Sequence, residues 1–317
     1  SDIGGSITTT GTQTYSGAVT LSTDVTLTTT DSNITFSSTV DGDGTARDLT
    51  IDMDNSGEGA DGTVQFVNTV GANNDLDVID ITGNLNLDAA ISNTTSLSVS
   101  GTSNLGADVT TSSTQTYSGA VTISNDITLT TTNSNVSFGA TTNAGTAGNT
   151  LTIAAGSGDV TFTGAVGGST AMGNITITTG ALSAAAIKVQ GTIDITNTDT
   201  SSITGIISDG ASSAILTKAG SGTLTLSGNN TYTGQTNINA GTLAVTVNNA
   251  LGTNAAGTVI ASGATLDLQN VTYSTTEAIT NNGGTLSTST GTSSFAGVMT
   301  LGANSTIDVD GTQLTIS

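Results

Sequence analysis

The chain has 317 residues, of which 24 are acidic and three are basic, and its formal net charge is −21. With three scattered cations there is no basic patch to neutralise phosphates, which excludes nucleic acid and anionic membrane surfaces as partners. Cys and His are absent, which excludes disulfides, thiol nucleophiles and metal–thiolate sites. No run of about 18 apolar residues occurs, so we expect no membrane insertion of this segment.

The composition predicts an all-β chain. It holds 41 Gly and no Pro, and only 9% of the residues are charged, against about 25% in ordinary globular domains. The abundance of Thr, Ser, Gly, Asn, Val, Ile and Leu favours short strands separated by turns. The first residues, Ser1 to Gly5, carry neither an initiator Met nor a signal sequence, and we therefore expect a processed or excised piece of a longer product.

Residues 1–112 form a first module of short runs in which apolar residues alternate with Thr, Ser or Asn. A period of two points the apolar side chains to one side, and the Gly and Asn residues between the runs tolerate the backbone of tight corners. The clearest runs are Val19–Leu21, Val25–Leu27, Ile34–Phe36, Leu49–Met53 and Leu85–Leu87.

The densest acidic stretch lies in this module and gives the chain's one metal-site hypothesis. Asp52, Asp54, Ser56 and Asp61 place oxygen ligands around a glycine-containing turn, a pattern that hard cations such as calcium prefer. The twelfth position from Asp52 is Thr63 rather than Glu, so a solvated loop is the favoured interpretation and calcium the alternative. No other metal or cofactor site is predicted, and no catalytic residue.

A second module, residues 113–214, repeats the first. Thr12–Leu21 recurs as Thr114–Ile123, an offset of 102 residues measured on Tyr15 and Tyr117 (117 − 15). The likeness continues downstream in three further pairs: Asp24–Thr30 with Asp126–Thr132, Ile34–Phe36 with Val136–Phe138, and Thr63–Phe66 with Asp159–Phe162. We expect five coils of about 20 residues in each module, with the matched aromatic residues packed at equivalent coil positions.

The last part, residues 215–317, shows a shorter period. Apolar residues that follow a glycine or small polar residue recur at spacings of 19, 23, 20 and 21, namely Leu224, Leu243, Leu266, Leu286 and Ile307. A unit of about 20–21 residues holds three short strands and three turns, which is one triangular coil of a β-solenoid. We therefore predict a solenoid that runs through both modules and this last cassette.

The segment Gly222–Leu243, which contains Thr-Tyr-Thr-Gly, closely resembles the autotransporter-associated β-strand repeat of bacterial surface proteins. Asn249–Gly252 and Ala261–Leu268 are similar to its usual continuation, and the Thr-Tyr-Ser-Gly copies around Tyr15 and Tyr117 look like degenerate versions. The remaining chain resembles filamentous-haemagglutinin-like passengers in style. This resemblance implies a right-handed parallel β-helix, export by a type V route and display as a stalk or adhesin, and it implies no catalytic residues.

The sequence thus predicts a non-catalytic structural or adhesive segment of a large secreted bacterial protein, located at the cell surface or associated with the outer membrane. Its expected partners are a host or neighbouring-cell surface glycan or protein, other copies of itself, or adjacent coils of a longer chain. The main alternative is a self-assembling fibre or sheath subunit, because the chain starts and stops mid-pattern. Less favoured are a two-carboxylate polysaccharide hydrolase, an ice-binding solenoid with Thr-x-Thr ranks, and a sugar-binding aromatic platform at Tyr273.

Overall fold

The structure, a computed structural model, describes residues 1–54 and 61–317. All regular secondary structure in these residues is β-strand, and they include no helix of the length and apolarity needed to cross a membrane. The chain divides into two units, Ser1–Phe162 and Thr163–Ser317. In each unit parallel strands stack coil upon coil, so the predicted all-β parallel solenoid is confirmed.

The first unit is built from strands of two to nine residues. They are β1 (Asp2–Ile3), β2 (Ile7–Thr8), β3 (Gln13–Tyr15), β4 (Val19–Leu21), β5 (Val25–Thr28), β6 (Ile34–Phe36), β7 (Val40–Gly42), β8 (Arg47–Asp52), β9 (Thr63–Phe66), β10 (Leu76–Thr82), β11 (Asn84–Leu87), β12 (Ile91–Val99), β13 (Ser103–Leu105), β14 (Val109–Thr111), β15 (Gln115–Tyr117), β16 (Val121–Ile123), β17 (Ile127–Thr130), β18 (Val136–Phe138), β19 (Thr142–Ala144), β20 (Leu151–Ala154) and β21 (Val160–Phe162).

Three parallel sheets form the sides of this unit. The first sheet runs β1, β4, β7, then through a bridge at Val70 to the start of β12, and on to β14, β17 and β20. The second sheet runs β2, β5, β8, β10, the end of β12, β15, β18 and β21. The third runs β3, β6, β9, β11, β13, β16 and β19. Strand β12 turns the corner between two sheets at Asn93, whose φ is 50°.

The interior follows from the alternation seen in the sequence. In β4, for example, Val19 and Leu21 are buried whereas Thr20 between them is partly exposed, because successive side chains of a strand point to opposite faces. Aromatic rings stack on equivalent rungs with centroids 4.6 to 5.4 Å apart, in two groups: Tyr15, Phe36 and Phe66, and Tyr117, Phe138 and Phe162. The predicted interior packing of these matched residues is confirmed.

The expectation of five coils per 102-residue module is wrong. Tyr15 pairs with Phe36 in the third sheet, whereas Tyr117 pairs with Phe138 in the second. The fifth rung above Tyr15 in the third sheet is Ile123. Coil length varies in this unit, so the sequence repeat ends one strand short of five full coils.

The second unit has shorter, more regular coils. Its strands are β22 (Ile175–Thr179), β23 (Leu182–Ala184), β24 (Ile187–Val189), β25 (Thr192–Asn197), β26 (Ser201–Ile203), β27 (Ile207–Asp209), β28 (Ile215–Ala219), β29 (Thr223–Leu226), β30 (Thr236–Ile238), β31 (Thr242–Val245), β32 (Thr258–Ile260), β33 (Thr265–Leu268), β34 (Thr272–Tyr273), β35 (Ile279–Asn281), β36 (Thr285–Thr288), β37 (Thr292–Phe295), β38 (Met299–Leu301), β39 (Thr306–Val309) and β40 (Gln313–Ile316).

The sides of this unit are a fourth sheet (β22, β25, β28, β30, β32, β35, β38), a fifth (β23, β26, β29, β31, β33, β36, β39) and an interrupted sixth. The fifth sheet confirms the predicted period, because its in-register rungs include Leu224, Leu243, Leu266, Leu286 and Ile307. The sixth sheet consists of β24 with β27 and of β34 with β37 and β40. Between β27 and β34, two coils of the described chain place no strand on this side.

Corners use the residues that the sequence predicted. The non-glycine residues with positive φ in the described chain are Asp31 and four asparagines: Asn93, Asn133, Asn249 and Asn270. At Gly241, φ is 64° and a Cβ atom would lie 2.4 Å from the carbonyl oxygen of Gly220 on the preceding coil. Only glycine meets both constraints there.

Candidate functional site

The cassette resembling a known repeat has a buried lysine at its start. Lys218 lies in β28 with its side chain fully buried, and its ammonium group donates to the carbonyl oxygens of Ala219, Gly220 and Ala240 at 2.7, 2.9 and 3.1 Å. Burial lowers the pKa of Lys218 to about 8. These bonds tie one corner to the next coil, so Lys218 has a structural role.

Where the sixth sheet is interrupted, side chains make hydrogen bonds to the main chain of neighbouring coils. The buried amide of Asn230 accepts a hydrogen bond from the Ile207 N–H at 2.7 Å and donates to the Ala250 carbonyl at 2.5 Å. One coil further on, the Tyr273 hydroxyl accepts from the Leu251 N–H at 3.0 Å. The Asn230 amide and the Tyr273 phenol therefore join four successive coils on this side, in addition to main-chain bonds.

The hypothesis of a sugar-binding platform at Tyr273 is wrong. The side chain is fully buried, and its ring stacks on Phe295 with centroids 6.0 Å apart. Tyr232 is buried in the same way, and its hydroxyl lies 2.6 Å from Thr236 Oγ1. Tyr273 packs in the core because its position in β34, rather than its aromatic character, decides which face it occupies.

A polar cleft opens beside the interrupted sixth sheet. Its volume is about 450 Å³, and its walls come from residues 229–231, from Asn249 with residues 252–254, and from residues 274–276. Apart from Gly252, every residue in these walls carries an amide or a hydroxyl group. The Oγ1 atom of Thr253 is buried and has no hydrogen-bond partner among the described residues. This cleft is the candidate functional site.

A buried carboxyl group follows the last cleft segment in sequence. Glu277 is 1% exposed, and its Oε1 atom accepts a hydrogen bond from Thr258 Oγ1 at 3.0 Å. Its Oε2 atom has no partner within the described chain. Burial raises the pKa of Glu277 to about 7, and the Thr258 hydrogen bond only partly opposes this shift.

A second, smaller cleft lies in the first unit. It has a volume of about 300 Å³ and is lined by Ala46, Asp75, Leu76 and several hydroxyl residues, including Thr110. Two register shifts occur beside it, between Leu76 and Ile79 and between Ile91 and Thr94. The bulges open the corner and thereby form the cleft.

Several acidic residues act as corner caps. A carboxylate oxygen accepts the backbone N–H of a residue in the next coil in four cases with distances of 2.7 to 3.2 Å: Asp24 with Asp48, Asp48 with Val78, Asp108 with Thr128, and Asp126 with Thr150. In the second unit Asp209 accepts from the backbone N–H and the hydroxyl of Thr233, the latter at 2.7 Å. Part of the chain's negative charge therefore serves inter-coil hydrogen bonding.

The calcium hypothesis stays a prediction. Ser56 lies outside the described residues, and the Asp54 N–H donates to Asp52 Oδ1 at 3.3 Å. Asp61 is partly exposed at the other side of that segment. Among residues 1–54 and 61–317 no three His, Cys, Asp or Glu side chains are grouped so as to hold a metal ion.

One known family matches part of the last cassette, residues 215–317. Residues 216–245 match the family described as passenger-associated-transport-repeat. These 30 residues of the 317 are similar to an autotransporter passenger repeat. The matched residues begin in β28 and end with β31, so the repeat supplies stacked strands of the fourth and fifth sheets. The repeat and the solenoid fold fit an autotransporter β-helix passenger, as the resemblance predicted, and the family implies a secreted, cell-surface protein. No curated protein and no solved structure matches the chain.

Proposed function

We propose that this chain is a non-catalytic shaft segment of a secreted bacterial passenger that mediates or presents attachment at the cell surface. The observation that carries the proposal is the position of the passenger repeat. Its residues Leu224 and Leu243 are adjacent rungs of the fifth sheet, which continues in register to Leu266 and beyond. The repeat is thus part of the stacked shaft, which suits a load-bearing or displaying role.

The outward surface supports attachment rather than ice binding. In the second sheet the outward rank mixes Thr with Ser and one carboxylate, in the order Thr26, Thr50, Asp80, Ser98, Thr116, Ser137 and Thr161. In the third sheet it mixes hydroxyls with amides, in the order Thr14, Thr35, Gln65, Asn86, Asn104, Thr122 and Asn143. A flat ice-binding face requires the same hydroxyl residue on nearly every coil. These mixed ranks present varied hydrogen-bonding groups instead, as a recognition surface does.

The test is attachment of beads coated with the purified chain. We expect saturable binding to host or neighbouring-cell surfaces, competition by the soluble chain, and no release of reducing sugar from the surface. Beads coated with albumin provide the baseline. Attachment no greater than this baseline would contradict the adhesive role, and sugar release would point to the hydrolase.

A self-assembling fibre is the second candidate, and one observation favours it. The coil formed by β38, β39 and β40 exposes Val298, Leu301 and Ile307, at 73%, 62% and 47%. Stacking of a second copy of this chain on this coil would bury these apolar side chains. Electron microscopy and sedimentation distinguish the cases: filaments that Ile307→Lys abolishes support assembly, and monomers at every concentration exclude it.

A further inference from the structure

We propose that the polar cleft of the second unit binds a neutral oligosaccharide. The inference rests on the proposed attachment function and deepens it, because it names the site and the class of ligand. It begins from the interruption of the sixth sheet, where two coils between β27 and β34 leave a recess in the side of the described solenoid.

The shape of the recess fits a short carbohydrate. Its walls come from one side of three successive coils, namely residues 229–231, Asn249 with residues 252–254, and residues 274–276, and its volume is about 450 Å³. Small-molecule sites in proteins have volumes of roughly 300–1,000 Å³. Because the three wall segments repeat at the coil spacing, a ligand that is itself a chain of similar units can contact all of them.

The chemistry of the walls selects a ligand rich in hydroxyl groups. Amide side chains carry both donors and acceptors, and each hydroxyl can donate and accept. The amides are those of Asn229 and Asn254, and the hydroxyls include those of Thr231 and Thr276. All four residues are exposed. Sugar hydroxyls have the same dual character. The Asn254 amide donates to Thr276 Oγ1 at 3.3 Å, whereas an apolar ligand would displace water from Asn229 and Thr231 without replacing its hydrogen bonds, which costs free energy.

The charge of the cleft and of the chain favours a neutral sugar over an acidic one. No wall residue is charged, and the chain's net charge is −21 with only three basic residues. A uronate or sialate would find no cationic partner in the cleft and would be repelled by the surrounding field. The ligand class is therefore neutral.

The walls are held in place before any ligand arrives. Asn230 is fixed at both ends of its amide by Ile207 and Ala250. On the opposite side, Asn248 Oδ1 accepts the backbone N–H of Ser274 at 2.9 Å. A pre-formed site loses less conformational entropy on binding.

The cleft of the first unit fits this class of ligand less well. It is smaller, at about 300 Å³, and its walls include the apolar side chains of Ala46 and Leu76 and the carboxylate of Asp75. It therefore serves as the internal comparison for the experiment.

The experiment measures binding of labelled sugars by fluorescence anisotropy. The probes are neutral tetrasaccharides of glucose, mannose, galactose and N-acetylglucosamine, with oligogalacturonate as the anionic probe. The cleft variant combines Asn229→Ala with Thr231→Val, two exposed residues whose side chains take no part in the described hydrogen bonds. The matched control, Thr110→Val, alters an exposed residue of the other cleft. Circular dichroism verifies that each variant is folded.

We expect saturable binding of at least one neutral probe, a Kd raised tenfold or more in the cleft variant, and a Kd within twofold of the original in the control. Binding that only Thr110→Val weakens, binding that neither variant weakens, or binding of oligogalacturonate alone would overturn the proposal. Absence of neutral-sugar binding by a chain whose coated beads still attach to cells would overturn it too, while leaving the attachment function intact. Failure of the folded chain to attach to any surface would instead refute the attachment function.

Discussion

Tyr15 and Tyr117 occupy the same position in the sequence repeat and make the same contact, yet they lie in different sheets. The Tyr15 hydroxyl donates to Gln13 Oε1 at 2.8 Å, and the Tyr117 hydroxyl donates to Gln115 Oε1 at 3.2 Å. In both copies the glutamine amide also donates to carbonyl oxygens of its own and the next coil. The motif is thus a set of local hydrogen bonds, which forms in the same way next to two different sheets.

Replacement of this glutamine should destabilise the first unit. Gln115 is fully buried, so Gln115→Leu removes a donor from the Val109 and Thr130 carbonyls and the acceptor from the Tyr117 hydroxyl. An unsatisfied buried polar group costs about 1–3 kcal/mol, and we expect a loss of stability in that range in urea titrations. Thr116→Val, which changes the outward neighbour, is the control. Equal midpoints for the two variants would show that the corner bonds carry no stability.

Leu226→Asp should open the coils around the passenger repeat. Leu226 is fully buried, and an unpaired carboxylate in the core costs several kcal/mol. We expect a lower denaturant midpoint and new protease cleavage near β29. Thr225→Asp places the same charge on the outward side of the same strand and should preserve both properties. If Leu226→Asp left midpoint and protease resistance unchanged, the interior position of Leu226 would be wrong.

Glu277 should make the second unit less stable as pH rises from about 4.5 to about 7. Its pKa is raised from 4.5 to about 7 in the folded chain, so over this interval the folded state holds a proton that the unfolded state has lost. The shift corresponds to roughly 3 kcal/mol. Glu277→Gln should remove this part of the decline in urea midpoints between pH 4 and pH 8. The exposed carboxylate variant Asp308→Asn should keep the decline, and an identical decline in Glu277→Gln would argue against the buried carboxyl as its source.

Lys218 should make the second unit more stable as pH rises from about 8 to about 10.5. Its pKa is lowered from 10.5 to about 8, so between these values the unfolded state binds a proton that the folded state does not, and stability should rise with pH. Lys218→Met should lack this rise, whereas Lys188→Met, which changes a partly exposed lysine of β24, should retain it. Urea midpoints from pH 7.5 to pH 10.5 measure the difference. A rise that persists in Lys218→Met would contradict the assignment.

The rungs from Leu224 to Ile307 could be predicted because alternation and a nearly constant spacing act together in the second unit. The buried position of Lys218 was also implicit, since it shares the parity of Leu216 in β28. By contrast, the sheet occupied by Tyr117 depends on the summed lengths of all preceding coils, and no local pattern encodes that sum. The cleft was equally hidden, because the run Asn230–Tyr232 has the alternation of a strand although the side chain of Asn230 replaces a strand bond.

The most direct test of the account is disulfide crosslinking, since the chain has no native Cys to interfere. Thr217 of β28 is paired in register with Asn237 of β30, and Asn237 with Val259 of β32. Neighbouring parallel strands lie about 4.8 Å apart, within the Cα separation that a disulfide spans, whereas two coils exceed it. Thr217→Cys with Asn237→Cys should form a crosslink on mild oxidation, and Thr217→Cys with Val259→Cys should not. Crosslinking of the second pair, or of neither, would contradict the stacking of the passenger repeat into the solenoid.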